Sequence, residues 1–291
     1  MRTTASSTYR TIQLALQRSN SQLDSLYLQA STGKRLNRAS DDPTSVPRVL
    51  SARSEITGMD RHLENMALAQ DRMDIVDGYL DSAETVLARA QEIAIAGANG
   101  SMSSEDLQTY AQEVEALEEQ LLSIGNAQVE GKYIFAGFSD GIEPFSGDPV
   151  TYNGTSDIKY LEIGPGQTAA TNLTGDVLFS DPVDVFAALA DLEEALVNGD
   201  TTAIESQLET LQEGYDQVSG QRSRMGNLNA RLDDSLAAME DAKLEMEEVL
   251  SRYEDVDLVE VLSDMTLAEE SLQAALSVSS RVMNLSILDY L

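Results

Sequence analysis

The residues that most often carry chemistry are scarce in this chain. There is one histidine, His62, and no cysteine, so thiolate nucleophiles and disulfides are excluded. His62 falls three residues after Met59 on an apolar series and has no second metal ligand or base partner beside it. It reads as a flank residue of a packed helix. Carboxylate pairs occur at Glu118-Glu119, Asp233-Asp234 and Glu247-Glu248. General acid–base work needs two such groups facing each other, and adjacent residues of a helix diverge. With 50 acidic side chains such pairs arise by chance and read as solvated faces. Ser139-Asp140-Gly141 opens no calcium loop, and no Lys-Ser/Thr follows Gly164-Pro165-Gly166 to make a phosphate loop. Asn153-Gly154-Thr155 and Asn172-Leu173-Thr174 fit glycosylation sequons, a weak signal. No catalytic, cofactor-binding or metal residue is expected, and no cofactor.

What recurs instead is a seven-residue apolar rhythm. Near the start it runs through Tyr9, Leu16, Leu23 and Ala30, with Ile12, Ser19 and Leu26 three residues on. Near the end it runs through Leu258, Met265, Leu272 and Ser279, with Val261, Ala268, Ala275 and Val282. A heptad of this kind lays one apolar seam along a helix, and a seam requires a partner. The rhythm continues through Met59, Met66, Met73, Leu80, Leu87 and Ala94, through Leu107, Val114 and Leu121, and from Leu211 to Tyr253. Long antiparallel coiled-coil hairpins follow, and the ends of the chain look built to pack, which points to assembly rather than catalysis. The seam residues expected to carry assembly are Tyr9, Ile12, Leu16, Leu23, Leu26, Leu258, Val261, Met265, Leu272, Ala275, Val282 and Leu288.

Charge narrows the partners. The 291 residues hold 19 basic and 50 acidic side chains, a net of −31. Residues 1–61 hold nine basic and five acidic groups (9 − 5 = +4), leaving −35 for the rest. Such an acidic body disfavours nucleic acid, whose binding rests on phosphate neutralisation, although the basic N-terminal segment could complement an acidic protein surface. No run of about 18 apolar residues exists, so no membrane insertion is expected. The N-terminus lacks the apolar stretch and cleavage site of a secretory signal.

The fold class expected is mainly α, a long antiparallel coiled-coil bundle built from both chain ends with a small β-rich insertion. Residues 1–42 and 255–291 are terminal assembly helices, 43–130 and 181–254 a helical rod, and 131–180 the insertion. Gly33 suits a helix C-cap, and Asp42 a cap with Pro43 at the next helix's first position. Ser103 or Ser104 can cap another helix. The insertion reads as strands near 133–135, 150–152 and 158–163, with turns at Asn153-Gly154 and Gly164-Pro165-Gly166. Its aromatics, Tyr133, Phe135, Phe138, Phe145, Tyr152 and Tyr160, are expected to form a small separate core projecting from the bundle, dispensable for assembly.

The segment Leu28-Gln29-Ala30-Ser31-Thr32-Gly33-Lys34-Arg35-Leu36-Asn37-Arg38-Ala39-Ser40-Asp41-Asp42-Pro43 resembles the N-terminal signature of the bacterial flagellin superfamily. Within it Gly33, Lys34, Arg35, Asn37, Asp41, Asp42 and Pro43 carry the match. Met1-Arg2-Thr3-Thr4 with Tyr9, Gly131-Lys132-Tyr133-Ile134-Phe135-Ala136-Gly137 and Leu285-Ser286-Ile287-Leu288-Asp289-Tyr290-Leu291 resemble the hook–filament junction branch, the hook-associated protein 3 family. The resemblance covers about 1–137 and 181–291. It implies a structural subunit of the flagellum joining hook to filament, exported from the cytoplasm without a cleaved signal peptide and assembled outside the cell. The implied partners are the first hook-associated protein, filament flagellin, other copies in a ring, and a cytoplasmic export chaperone at the C-terminal helix. Two alternatives stand beside it: a filament flagellin, and a generic acidic coiled-coil adaptor or holdase.

Overall fold

The computed structural model describes residues 5–288, and side chains from 9 to 281. In chain order it has α1 (Ala5–Thr32), α2 (Val46–Ala98), α3 (Ser104–Gly125), β1 (Gln128–Val129), β2 (Lys132–Tyr133), β3 (Phe145–Ser146) and β4 (Thr151–Tyr152). Then follow β5 (Tyr160–Gly164), β6 (Gln167–Ala170), α4 (Gly175–Phe179), α5 (Val185–Asn198), α6 (Thr201–Glu254) and α7 (Leu258–Leu288). The chain is mainly helical with a small insertion of antiparallel strand pairs, as the heptads and turn signals lead one to expect. Two compact units emerge, residues 1–58 with 241–291, and residues 59–240. They divide within α2 and α6, whereas the boundaries read from the sequence fall at 42 and 255.

In the unit 59–240 the apolar series becomes a core. Met66, Met73, Leu80, Leu87 and Ala94 on α2 are buried, as are Leu211, Val218, Met225 and Leu232 on α6 and Val114 and Leu121 on α3. The helices α2 and α6 run antiparallel. Gln70 donates to Asp233, Asn229 to Asp74 at 3.2 Å, and the Gln91 side chain to the Leu211 carbonyl at 3.1 Å, so numbers rise on one helix as they fall on the other. Arg222 forks onto Asp77 at 2.8 and 3.1 Å and reaches Asp81 at 2.7 Å and Glu84 at 2.6 Å, pinning the register with charge-assisted bonds. The start of α3 is held by a capping box between Ser103 and Asp106. His62 is half-buried on α2.

The insertion corrects two expectations. Its aromatics do not make a core of their own. Phe135 and Phe145 are buried with Phe179 of α4 and Phe186 of α5, and Phe145 lies 5.7 Å from the Phe179 ring and 5.1 Å from the Phe186 ring. This cluster is continuous with Leu121 and Ile124 of α3. Phe138 and Tyr160 are exposed instead. The segment is therefore part of the helical core rather than a detachable module, because so short a set of strands cannot bury its own rings. Nor is Asn153-Gly154 a hairpin turn. The strands it was to join, near 150–152 and 158–163, do not pair with each other: β4 pairs with β3, Tyr152 opposite Phe145, around a turn that includes Gly147 (φ +102°), and β5 pairs with β6. Gly154 matters by close approach, since a Cβ there would lie 2.4 Å from the Tyr152 hydroxyl. The turn at Gly164-Pro165-Gly166 does join β5 to β6. A two-residue turn through Glu130 and Gly131, both at positive φ, joins β1 to β2.

Candidate assembly surface

The chain ends lie in the unit 1–58 with 241–291, where α1 and α7 pack against each other. They run antiparallel. The Val256 N–H donates to the Gly33 carbonyl at 3.1 Å, joining the end of α1 to the start of α7, and the Tyr27 hydroxyl bonds Glu269 farther along. On α1 the half-buried positions include Ile12, Leu16, Ser19, Leu23, Leu26 and Ala30. On α7 Val261, Ala268 and Ser279 are buried and Met265, Leu272 and Ala275 half-buried. The seam residues of the two ends thus supply one another's partner.

Two members of the series stand apart. Tyr9 and Leu258 are exposed. Leu258 opens α7 and has no preceding helical turn to cover it. The side chains of Val282 and Leu288 lie outside the described residues, as does the chain's last motif beyond Leu288.

A two-helix pair covers one stripe of each helix, and this pair carries apolar side chains beyond that stripe. Leu14 on α1 and Val259, Leu262, Leu267, Leu276 and Val278 on α7 are exposed, Val259 at 79% and Leu267 at 60%. By helix geometry Leu262 and Leu276 flank the α7 seam on one side and Leu267 and Val278 on the other, so apolar surface stays open on both sides of the pair. Periodicity pointed to the inner seam and missed these residues: Leu262 and Leu276 lie two heptads apart, but Glu269 interrupts their series, and the others share no such spacing.

The segment between α1 and α2 fastens the base of the pair. Gly33 adopts φ +68° and its N–H donates to the Gln29 carbonyl at 2.9 Å, ending α1 in a left-handed cap. Asp41 accepts from the N–H groups of Asn37 at 3.1 Å and Arg38 at 2.7 Å, and the Asn37 amide donates to the Lys34 carbonyl at 2.6 Å. Asp42 accepts from the Thr44 and Ser45 hydroxyls at 2.6 Å each and from their N–H groups. Those bonds hold its carboxyl well below the usual range. Pro43 follows directly, where a missing N–H costs nothing.

The folded loop then grips the end of α6. Glu254 is 2% exposed. Its carboxylate accepts from Arg53 at 2.6 and 3.1 Å and pairs with Lys34. Its carbonyl accepts from the Arg35 N–H at 2.7 Å. Burial opposes the Glu254 charge, but the bonds from Arg53 and Lys34 outweigh it and hold the pKa below the ordinary value. Arg35 also donates to the Tyr253 carbonyl at 3.0 Å, and Arg48 to the Tyr253 hydroxyl at 2.9 Å. Of the signature residues, Gly33, Asn37, Asp41 and Asp42 shape the loop, while Lys34 and Arg35 bind across to α6. Glu254 could not be found from sequence, since it is one of 50 acids and lies 201 residues from Arg53.

Known proteins share this architecture. Residues 4–140 match the bacterial flagellin N-terminal helical region, and residues 208–291 match the C-terminal helical region. Flagellar hook-associated protein 3 of Escherichia coli (strain K12) is 22% identical over 284 residues, covering 89% of this chain and 90% of that protein. The flagellin of Bacillus subtilis (strain 168) is 24% identical over 253 residues, covering 81% of each. The solved structure of a putative flagellar hook-associated protein from Vibrio parahaemolyticus aligns with a TM-score of 0.70 at 22% identity, over 74% of this chain and all of that one. Both ends of the chain, with the loop that fastens them, fall inside the matched regions, and the chain belongs to the bacterial flagellin family.

Proposed function

We propose that this chain is a structural subunit of the bacterial flagellum that joins hook to filament. The observation that carries the reading is the pair α1–α7, whose seam is closed internally while Leu262, Leu267 and Leu276 still face outward. Those residues are suited to pack against neighbouring subunits. The similarity to hook-associated protein 3 along nearly the whole of both chains supports the junction, and flagellins matched over a comparable length make the filament the alternative. On this reading the partners are a hook-associated protein below, filament flagellin above and further copies around a ring. An export chaperone would cover the C-terminal helix before assembly. The subunit is exported, works outside the cell, and acts through packing without catalysis.

The test is Leu262→Asp with Leu276→Asp in the full chain, produced in cells lacking their own copy. A carboxylate at an apolar contact costs about 1–3 kcal/mol each, so filaments should detach and swimming should stop while the purified protein keeps its helix content. Swimming cells with attached filaments would refute the outward surface. A filament-subunit role would show as labelled protein along the whole filament rather than at its base.

A further inference from the structure

Four of the ten basic groups of residues 62–291 meet at one place in the unit 59–240. There the strand segment lies against α2 and α6 and leaves two adjoining clefts that share Val76, Thr171 and Asn172. The larger, of about 270 Å³, is lined by Arg72, Lys132 and Lys159, and the smaller, of about 100 Å³, by Arg224. The 45 acids of the same stretch supply only Glu130 and Asp140 to the two clefts (4 − 2 = +2), on a body that sums to −35.

The back of the larger cleft is fixed by its own bonds. The Lys159 N–H donates to the Asn172 side-chain oxygen at 2.6 Å, and the Lys159 ammonium donates to Asp140 at 2.8 Å. The Asp140 carbonyl in turn accepts from the Tyr133 N–H at 2.9 Å. Lys132 stands 3.4 Å from Asp140 with its side chain 68% exposed, so it keeps donors to spare. Arg72 is exposed and has no polar partner among the described residues. Its neighbours three and four positions away on α2 are Leu68, Ala69, Ile75 and Val76, so its own helix offers it no carboxylate at pairing distance. A staple between two loops needs Lys159 and Asp140 alone. It gives no reason for a free guanidinium and a second lysine at the same opening.

We infer that the larger cleft binds a small organic acid, its carboxylate held by Arg72 and Lys132 and its apolar body set against Ile75, Val129 and Tyr133. The guanidinium fork matches a carboxylate with two parallel bonds. Ile75 is 40% exposed beside it, apolar surface that a bare inorganic anion would leave uncovered. The volume falls just below the range of about 300–1,000 Å³ usual for ligand pockets, which suits a molecule of one ring.

The probe is phenylacetate, titrated into the isotope-labelled full chain at about 0.15 M salt, where a Debye length of about 8 Å screens the acidic body. The amide signals of Tyr133, Lys159 and Asn172 should shift and saturate with a Kd of about 1 mM. Phenylacetamide has the shape without the charge, and inorganic phosphate has the charge without the apolar body. Each should bind at least about tenfold more weakly. Arg72→Gln should weaken phenylacetate binding about tenfold and Arg72→Lys about threefold. Arg252→Gln, an equal change of charge outside 59–240, should leave it unchanged. An unaltered thermal midpoint shows that the losses are local, and if Arg72→Gln does not fold, Lys132→Gln carries the same test with about a threefold loss. No saturable shift, an amide that binds as well as the acid, or an Arg72→Gln chain that binds like the unmodified one would each overturn the site. Phosphate binding as tightly as phenylacetate would overturn the ligand class.

Discussion

The same heptad yields two different environments in this molecule. In the unit 59–240, Leu80, Leu87, Leu211 and Val218 are wholly buried, because α3, α5 and the strand segment close over the α2–α6 pair. Among the described seam side chains of the α1–α7 pair none is so well covered. Val261 at 4% is the most buried of its members, and Leu16, Leu23 and Leu272 are only half-buried. Burial depth depends on how many neighbours surround a helix, not on the regularity of its pattern. The body has its neighbours within the chain, and among the described residues α1 and α7 pack chiefly on each other.

The largest expected effect lies in the body. Phe179→Ala removes a fully buried ring shared with Phe135, Phe145 and Phe186, at about 3–5 kcal/mol. The thermal midpoint should fall by several degrees. An unchanged midpoint would show the insertion's rings to be independent of the helices. Leu272→Asp on the seam should cost about 1–3 kcal/mol in the terminal pair alone. Backbone hydrogen exchange should then quicken in α1 and α7 only, and a shifted body transition would erase the contrast.

Glu254→Gln should be smaller still, because Lys34 and Arg53 are about half exposed and water screens them (45% and 49%). Losing charge-assisted bonds there costs about 1–2 kcal/mol and should open the loop 33–43 to protease. The pH dependence has a fixed sign. The folded pKa of Glu254 is lowered, so its contribution is complete above the ordinary value of about 4.3 and fades as pH falls through the lower folded value. Glu254→Gln should remove the Glu254 share of that acid-dependent loosening and leave the share of Asp42, whose carboxyl the loop also holds low; an unchanged acid response would assign it to Asp42 instead. Smallest is Ser103→Ala, which removes the α3 cap at about 1 kcal/mol. Calorimetry should show a slight drop in the body transition only.

Much of this was legible in the sequence because heptads and caps are local. The long helices, the Ser103 cap, the Gly33 terminus and the Gly164–Gly166 turn all follow from residues within a few positions of each other. What was missed depends on distant packing. Gly154 looks like a turn residue but is required by the Tyr152 ring above it. Phe145 looks like part of a separate module but meets Phe186 from a later helix. Glu254 has no local mark, since only the folded loop brings Lys34 and Arg53 to it. The outward leucines of α7 form no continuous series, since Glu269 stands between Leu262 and Leu276, and so escaped a reading based on period.

The central claim is that the paired ends, and not the body, form the surface through which this subunit joins its neighbours. Hydrogen exchange, compared between the isolated chain and the assembled flagellum, tests it most directly. The few buried contacts of the isolated α1–α7 pair predict fast exchange there and slow exchange in α2, α3 and α6 within 59–240. On assembly, protection of α1 and α7 should rise by about two orders of magnitude or more, a gain of roughly 3 kcal/mol, while the body changes little. Ends already as protected as the body in the isolated chain, or protection gained mainly in the body on assembly, would contradict it.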